Sequence, residues 1–178
     1  MSLTPTEAAS LQARVHILFE DLESLGAQIS RLNRSIAANC PGNWFITLFA
    51  GVLHPATGHL AYCNAGHNAP LLLRSGAGVE SLEATGLPLG IRPDVTYEEK
   101  SCHLEQDDVL VLFSDGVTEA CAPDEDAEFG EERLIAVVQG KRNYPAASLI
   151  EAINAEVRSF ACGLPATDDI TLVLVRRC

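Results

Sequence analysis

Leu11, Val15, Leu18, Leu22, Leu25, Ile29, Leu32 and Ile36 recur at alternating steps of four and three residues, an apolar stripe along one helix face. A 3.5-residue repeat also suits the seam between paired helices, but Gly26 interrupts it. The spacing therefore predicts two helices packed on a sheet, with pairing of two copies into a homodimer through the apolar face as the alternative. Pro41-Gly42-Asn43 ends the helical region, and the pattern changes to short apolar runs. Trp44 to Leu53 and His59 to Asn64 read as strands joined by the turn His54 to Gly58; Pro70 to Arg74 and Val79 to Leu82 flank Ser75-Gly76-Ala77-Gly78 in the same way. Tyr97 to Leu104 alternates weakly. Val109-Leu110-Val111-Leu112-Phe113 is continuously apolar and suits a strand covered on both faces. Arg133 to Val138 and Ala146 to Phe160 carry helical spacing, and Ile170 to Val175 reads as a final buried strand. Helices at both ends of a run of antiparallel strands predict an α+β layered sandwich, one domain over residues 1–178.

Composition narrows the partners. The chain is 47% hydrophobic and carries 12 Lys and Arg against 24 Asp and Glu, a net charge of −12. With no basic run, nucleic acid is not an expected partner. The longest apolar stretch, Trp44 to Leu53, falls short of the roughly 20 residues of a membrane-spanning helix. The amino-terminal residues carry no secretory signal, so the expected location is the cytoplasm, and Met1 to Leu3 reads as an expression scar. Six cysteines without a C-x-x-C pair signal neither a zinc cage nor a redox dithiol, and reduced, mostly buried thiols are expected.

Two acidic motifs flank the two most apolar strands: Ser114-Asp115-Gly116 follows one and Thr167-Asp168-Asp169 precedes the other. If those strands are antiparallel neighbours, Asp115 and Asp168 meet at one sheet edge. Carboxylates gathered there repel one another, and a hard divalent cation such as Mg²⁺ or Mn²⁺ is the usual remedy. Each motif also has a plain reading. Asp-Gly is a common hairpin turn, although Val117 to Pro123 shows little strand alternation; Thr-Asp-Asp can be a solvated turn. His67 is a candidate general acid but lies in a Gly-containing turn, where a structural role reads at least as well, and the acidic run 124–128 reads as solvated surface.

The order of motifs is recognisable: Phe45-Ile46-Thr47-Leu48-Phe49, Asn64-Ala65-Gly66-His67-Asn68-Ala69-Pro70, Gly86-Leu87-Pro88-Leu89-Gly90, Ser114-Asp115-Gly116-Val117-Thr118-Glu119, Phe129-Gly130-Glu131-Glu132-Arg133-Leu134 and Asp168-Asp169-Ile170-Thr171-Leu172. Over roughly residues 10–176 the chain resembles the sporulation stage II protein E type of bacterial serine/threonine phosphatase, a branch of the metal-dependent, 2C-like (PPM) phosphatases. The resemblance implies two antiparallel β-sheets in a sandwich flanked by helices, with two Mn²⁺ or Mg²⁺ ions at one edge. It makes Asp115 and Asp168 the catalytic metal ligands and Asp169 a supporting carboxylate in the metal site. It further implies hydrolysis of phosphoserine or phosphothreonine by a metal-generated hydroxide, on a regulatory protein of the anti-anti-sigma type.

One departure bears on activity. The family's early Gly-Asp-x-x-Asp and Asp-x-Ser-Gly-Lys-Gly segments have no match in residues 1–43, where the acids are Glu7, Glu20, Asp21 and Glu23. The fold is therefore expected to be incomplete at its amino-terminal side and this chain alone to be inactive or weakly active. A catalytically silent regulatory module of the same fold is the alternative.

Overall fold

The computed structural model describes residues 24–39, 44–76, 78–122, 127–164 and 168–178. They fall into two compact units. In the first, helix α1 (Leu25–Asn39) accompanies β1 (Leu48–His54), β2 (His59–Ala65) and β5 (Lys100–His103), a three-stranded sheet ordered β1-β2-β5. β1 and β2 form an antiparallel hairpin from Leu48 opposite Ala65 to His54 opposite His59. The second holds a four-stranded sheet ordered β4-β3-β6-β7, built from β3 (Leu71–Leu73), β4 (Val79–Ser81), β6 (Val109–Phe113) and β7 (Leu172–Arg176). It also holds α2 (Asp115–Thr118), α3 (Gly130–Gly140) and α4 (Ala146–Phe160). Among the described residues no helix is long and apolar enough to cross a membrane.

In the first unit the stripe residues Leu25, Ile29, Leu32 and Ile36 bury against Ala50, Cys63, Ala65, Leu89 and Tyr97. Gly26 sits in the first turn of α1 because the chain passes so close there that a Cβ would collide with the Tyr97 carbonyl oxygen. Ser30 reinforces the contact: its hydroxyl donates to the Gly26 carbonyl and accepts from the Tyr97 N–H. The Leu25 N–H at the helix start donates to the Glu99 carboxylate, 2.7 Å away, placing a negative charge at the positive end of the helix. The other half of the stripe, Leu11 to Leu22, lies outside the described residues.

In the second unit α3 contributes Leu134 and Val138, and α4 contributes Leu149, Ile153 and Val157. These four-residue steps give each helix one buried face, packed with Leu71, Leu73, Val109, Val111 and Phe113 of the sheet. The central strand β6 is covered almost throughout, as its unbroken apolar run predicts. β7 departs from expectation. It starts two residues later than the sequence suggests, lies last in the strand order and is half-buried, with Val173 48% exposed. Successive strand residues point to opposite faces, so with Leu172 and Leu174 packed on the core of this unit, Val173 faces away from it.

The cysteines correct another expectation. Cys63 is buried and Cys102 half-buried, but Cys121, Cys162 and Cys178 are exposed. The exposed three lie outside the named helices and strands, where no core packs around them.

Candidate active site

The site begins with strand register. β6 and β7 are antiparallel, with Phe113 opposite Leu172 and Val109 opposite Arg176, so the residues after Phe113 meet those before Leu172 at one sheet edge. This is the arrangement on which the meeting of Asp115 and Asp168 depends. At the opposite end of the same sheet stand Arg74, Asp108 and Arg176.

Ser114 ties the acidic edge together. Its N–H donates to the Thr171 carbonyl at 3.1 Å, its hydroxyl donates to the Asp169 carbonyl at 2.8 Å, and the same hydroxyl accepts from the Thr171 N–H at 2.8 Å. Ser114 therefore does not cap α2, although its extended backbone (φ −91°, ψ 165°) stands at the capping position. Asp115 opens that single helical turn, which closes through the Glu119 N–H bonding the Asp115 carbonyl at 2.8 Å. The Asp115-Gly116 pair is thus a helix start rather than a hairpin turn. Gly116 is buried against the second motif: a Cβ there would stand 2.7 Å from the Asp169 carbonyl oxygen and 2.9 Å from that of Asp168. Only a residue without a side chain lets the two backbones approach so closely.

Asp115, Asp168 and Asp169 are all exposed. Asp168 uses one carboxylate oxygen, Oδ1, to accept the Asp169 N–H at 2.8 Å, which holds its side chain over its own loop. Sequence reasoning named the three aspartates but missed Ser114 and Gly116, whose roles follow only from the register that sets position 114 opposite 171. Among the described residues no group of three or more His, Cys, Asp or Glu side chains is gathered closely enough to hold a metal ion. The aspartates fit part of a divalent-cation site: hard oxygen donors, open to solvent, on two backbones held together by a glycine contact.

Asn64 to His67, the first part of the Asn64 to Pro70 motif, build a turn in the first unit. Asn64 is fully buried and its side-chain oxygen accepts the His67 N–H at 2.8 Å, while Thr85 bonds its backbone on both sides. Gly66 has φ +68°, and a Cβ on it would strike the Pro88 ring. His67 Nδ1 lies 3.3 Å from the Thr47 hydroxyl. The Asn64 and Gly66 contacts shape this turn.

Two antiparallel sheets with these helices define the fold of the PP2C-type phosphatases. It matches the SiaA-PP2C domain of Pseudomonas aeruginosa with a TM-score of 0.78 and 17% identity, over 95% of this chain and 67% of that one. It also matches the catalytic domain of the serine/threonine protein phosphatase PstP in complex with two manganese ions, with a TM-score of 0.62 and 18% identity, over 98% of this chain and 83% of that one. The family model for stage II sporulation protein E (SpoIIE) matches residues 6–178, and the chain belongs to that family of serine/threonine phosphatases. It is 38% identical over 92 residues to the phosphoserine phosphatase RsbU of Bacillus subtilis, a match covering 51% of this chain and 28% of RsbU. The matches to two curated relatives span 21% and 28% of those proteins' lengths.

Proposed function

We propose that this chain carries a metal-dependent protein phosphatase site that hydrolyses phosphoserine or phosphothreonine on a cytoplasmic regulatory protein of the anti-anti-sigma type. The observation that supports this most is the close backbone approach, at one sheet edge, of the segment carrying Asp115 to the segment carrying Asp168 and Asp169, through Ser114 and Gly116. Asp115 and Asp168 would hold Mn²⁺ or Mg²⁺, with Asp169 in support. A bound cation there supplies charge neutralisation at the phosphate and acidification of water. The chain's own contribution is placement. Ser114 and Thr171 lock the strand ends, Gly116 lets the two loops close, and the Asp169 N–H restrains the Asp168 carboxylate. Without a cation the exposed carboxylates repel a phosphoryl group in a chain already carrying −12.

A second reading, a catalytically silent module that binds a phosphoprotein, is favoured by the lack of a three-ligand cluster among the described residues. One experiment separates the two. Calorimetric titration with Mn²⁺ is run on the chain and on Asp115→Asn, alongside hydrolysis of p-nitrophenyl phosphate. The phosphatase reading expects Mn²⁺ binding and slow hydrolysis, both lost in Asp115→Asn. Absence of Mn²⁺ binding, or hydrolysis that the substitution leaves intact, overturns it.

A further inference from the structure

Next to the acidic edge, the second unit has a cavity of about 390 Å³ lined by Ala120, Val157, Ala161, Leu164 and Ile170, with Arg158 on its wall. Two of these residues belong to the segments that carry the aspartates. Ile170 directly follows Asp169, and Ala120 ends the stretch that begins with Asp115 at the start of α2. The remaining wall is the end of α4 and the turn beyond it. There Gly163 adopts φ +77°, its N–H donates to the Arg158 carbonyl, and the Leu164 N–H donates to the Ala161 carbonyl. Arg158 is exposed, and its guanidinium makes no hydrogen bond or ion pair among the described residues. Leu164 is 51% exposed at the mouth.

An exposed guanidinium without a protein partner beside an apolar cavity, in a chain of net charge −12, favours a particular occupant. The exposed Asp115, Glu119, Asp168 and Asp169 all belong to the segments that lead into this cavity, so a ligand carboxylate finds one attractive position here, Arg158. The apolar lining calls for an aliphatic side chain, and continuity with the aspartates sets both groups close in sequence to the phosphorylated residue.

We infer that this cavity is the docking subsite for the substrate segment flanking the phosphoresidue, which inserts an aliphatic side chain against Leu164 and Ile170 and pairs a carboxylate with Arg158. The inference rests on the phosphatase reading for the position of the phosphate, and it adds a sequence preference: an aliphatic and an acidic residue beside the phosphoserine. Arg158 thereby becomes a specificity residue, with no part in bond breaking.

The test reads binding rather than turnover. Fluorescein-labelled peptides carry a non-hydrolysable phosphoserine mimic flanked by Leu and Glu, by Leu and Lys, or by Ala and Glu. Their anisotropy is followed with the whole chain in Mn²⁺, with Arg158→Lys, Arg158→Glu and Leu164→Asp. Expected is roughly tenfold tighter binding of the Leu–Glu peptide than of the Leu–Lys peptide, retained in Arg158→Lys and inverted in Arg158→Glu. Leu164→Asp, a change at an exposed position, abolishes the preference for Leu over Ala. Equal binding of the three peptides by the unsubstituted chain, no binding at all, or an Arg158→Glu variant that keeps the original order overturns the inference. Hydrolysis of p-nitrophenyl phosphate, which has no flanking residues, tests the phosphatase reading separately, so either can fail alone.

Discussion

Asp108 shows how much one residue carries. Its side chain is 1% exposed, and it accepts hydrogen bonds from Arg74 Nη1 at 2.8 Å, the Ser75 N–H at 2.7 Å and the Glu105 N–H at 2.8 Å. Burial pushes its carboxyl up. The Glu105 N–H, Arg74 and the Ser75 N–H together outweigh that push and hold it below the usual carboxylate range. A pKa depressed on folding contributes stability that is present above the unfolded value, about 4, and lost as pH falls through the folded value. Asp108→Asn is expected to cost about 3 kcal/mol at neutral pH, because Arg74 and two N–H donors lose a charged acceptor. It also flattens the acid limb of the stability curve. Urea denaturation between pH 7 and pH 3 measures both, and an unchanged acid limb would remove Asp108 as its source. Cys63 makes the opposite case. Burial, then the nearby Glu99 charge, pushes its thiol up to about 11, against a smaller lowering by the Thr85 hydrogen bond. Iodoacetamide at pH 8 should modify Cys121, Cys162 and Cys178 in the folded chain and spare Cys63, as peptide mass spectrometry would show.

At the scale of elements, the acidic edge depends on two residues that carry no charge. Ser114→Ala removes the acceptor of the Thr171 N–H and the donor to the Asp169 carbonyl, an expected loss of about 1–2 kcal/mol in stability. Gly116→Ala drives a methyl group against two backbone carbonyls, which have little room to retreat because Ser114 pins the same loop. Its expected effect is at least a tenfold loss of Mn²⁺ affinity, larger than that of Ser114→Ala, since the loops bearing Asp115 and Asp168 must part. Titration of the two variants side by side gives the ranking. Unaltered Mn²⁺ binding in Gly116→Ala would mean that the glycine contact does not position the aspartates.

Across the whole molecule, a cation held in the folded state alone must raise the unfolding temperature. At a concentration one hundred times its dissociation constant, such a ligand adds about 2.7 kcal/mol. Mn²⁺ is accordingly expected to shift the calorimetric unfolding transition upward in the unsubstituted chain and to leave Asp115→Asn in place. An equal shift in both would assign the stabilisation to other carboxylates of this acidic chain.

The order of helices and strands was readable from the chain because periodicity is local: a four-residue step buries one helix face wherever it lies, as Leu149, Ile153 and Val157 do. The acidic motifs were readable for the same reason, as runs of neighbouring residues beside strongly apolar strands. Nothing local marks which strand pairs with which, or in what register. The approach of the segments that carry Asp115 and Asp168, the clamp made by Ser114 and the need for glycine at 116 all follow from the β6–β7 pairing. The burial of Asp108 follows likewise from Arg74, Ser75 and Glu105 closing around it. Strand pairing joins residues more than fifty positions apart through hydrogen bonds between backbones, which are chemically alike along the chain. Sequence therefore spells the elements and their chemistry, whereas the site is made by the contacts between them.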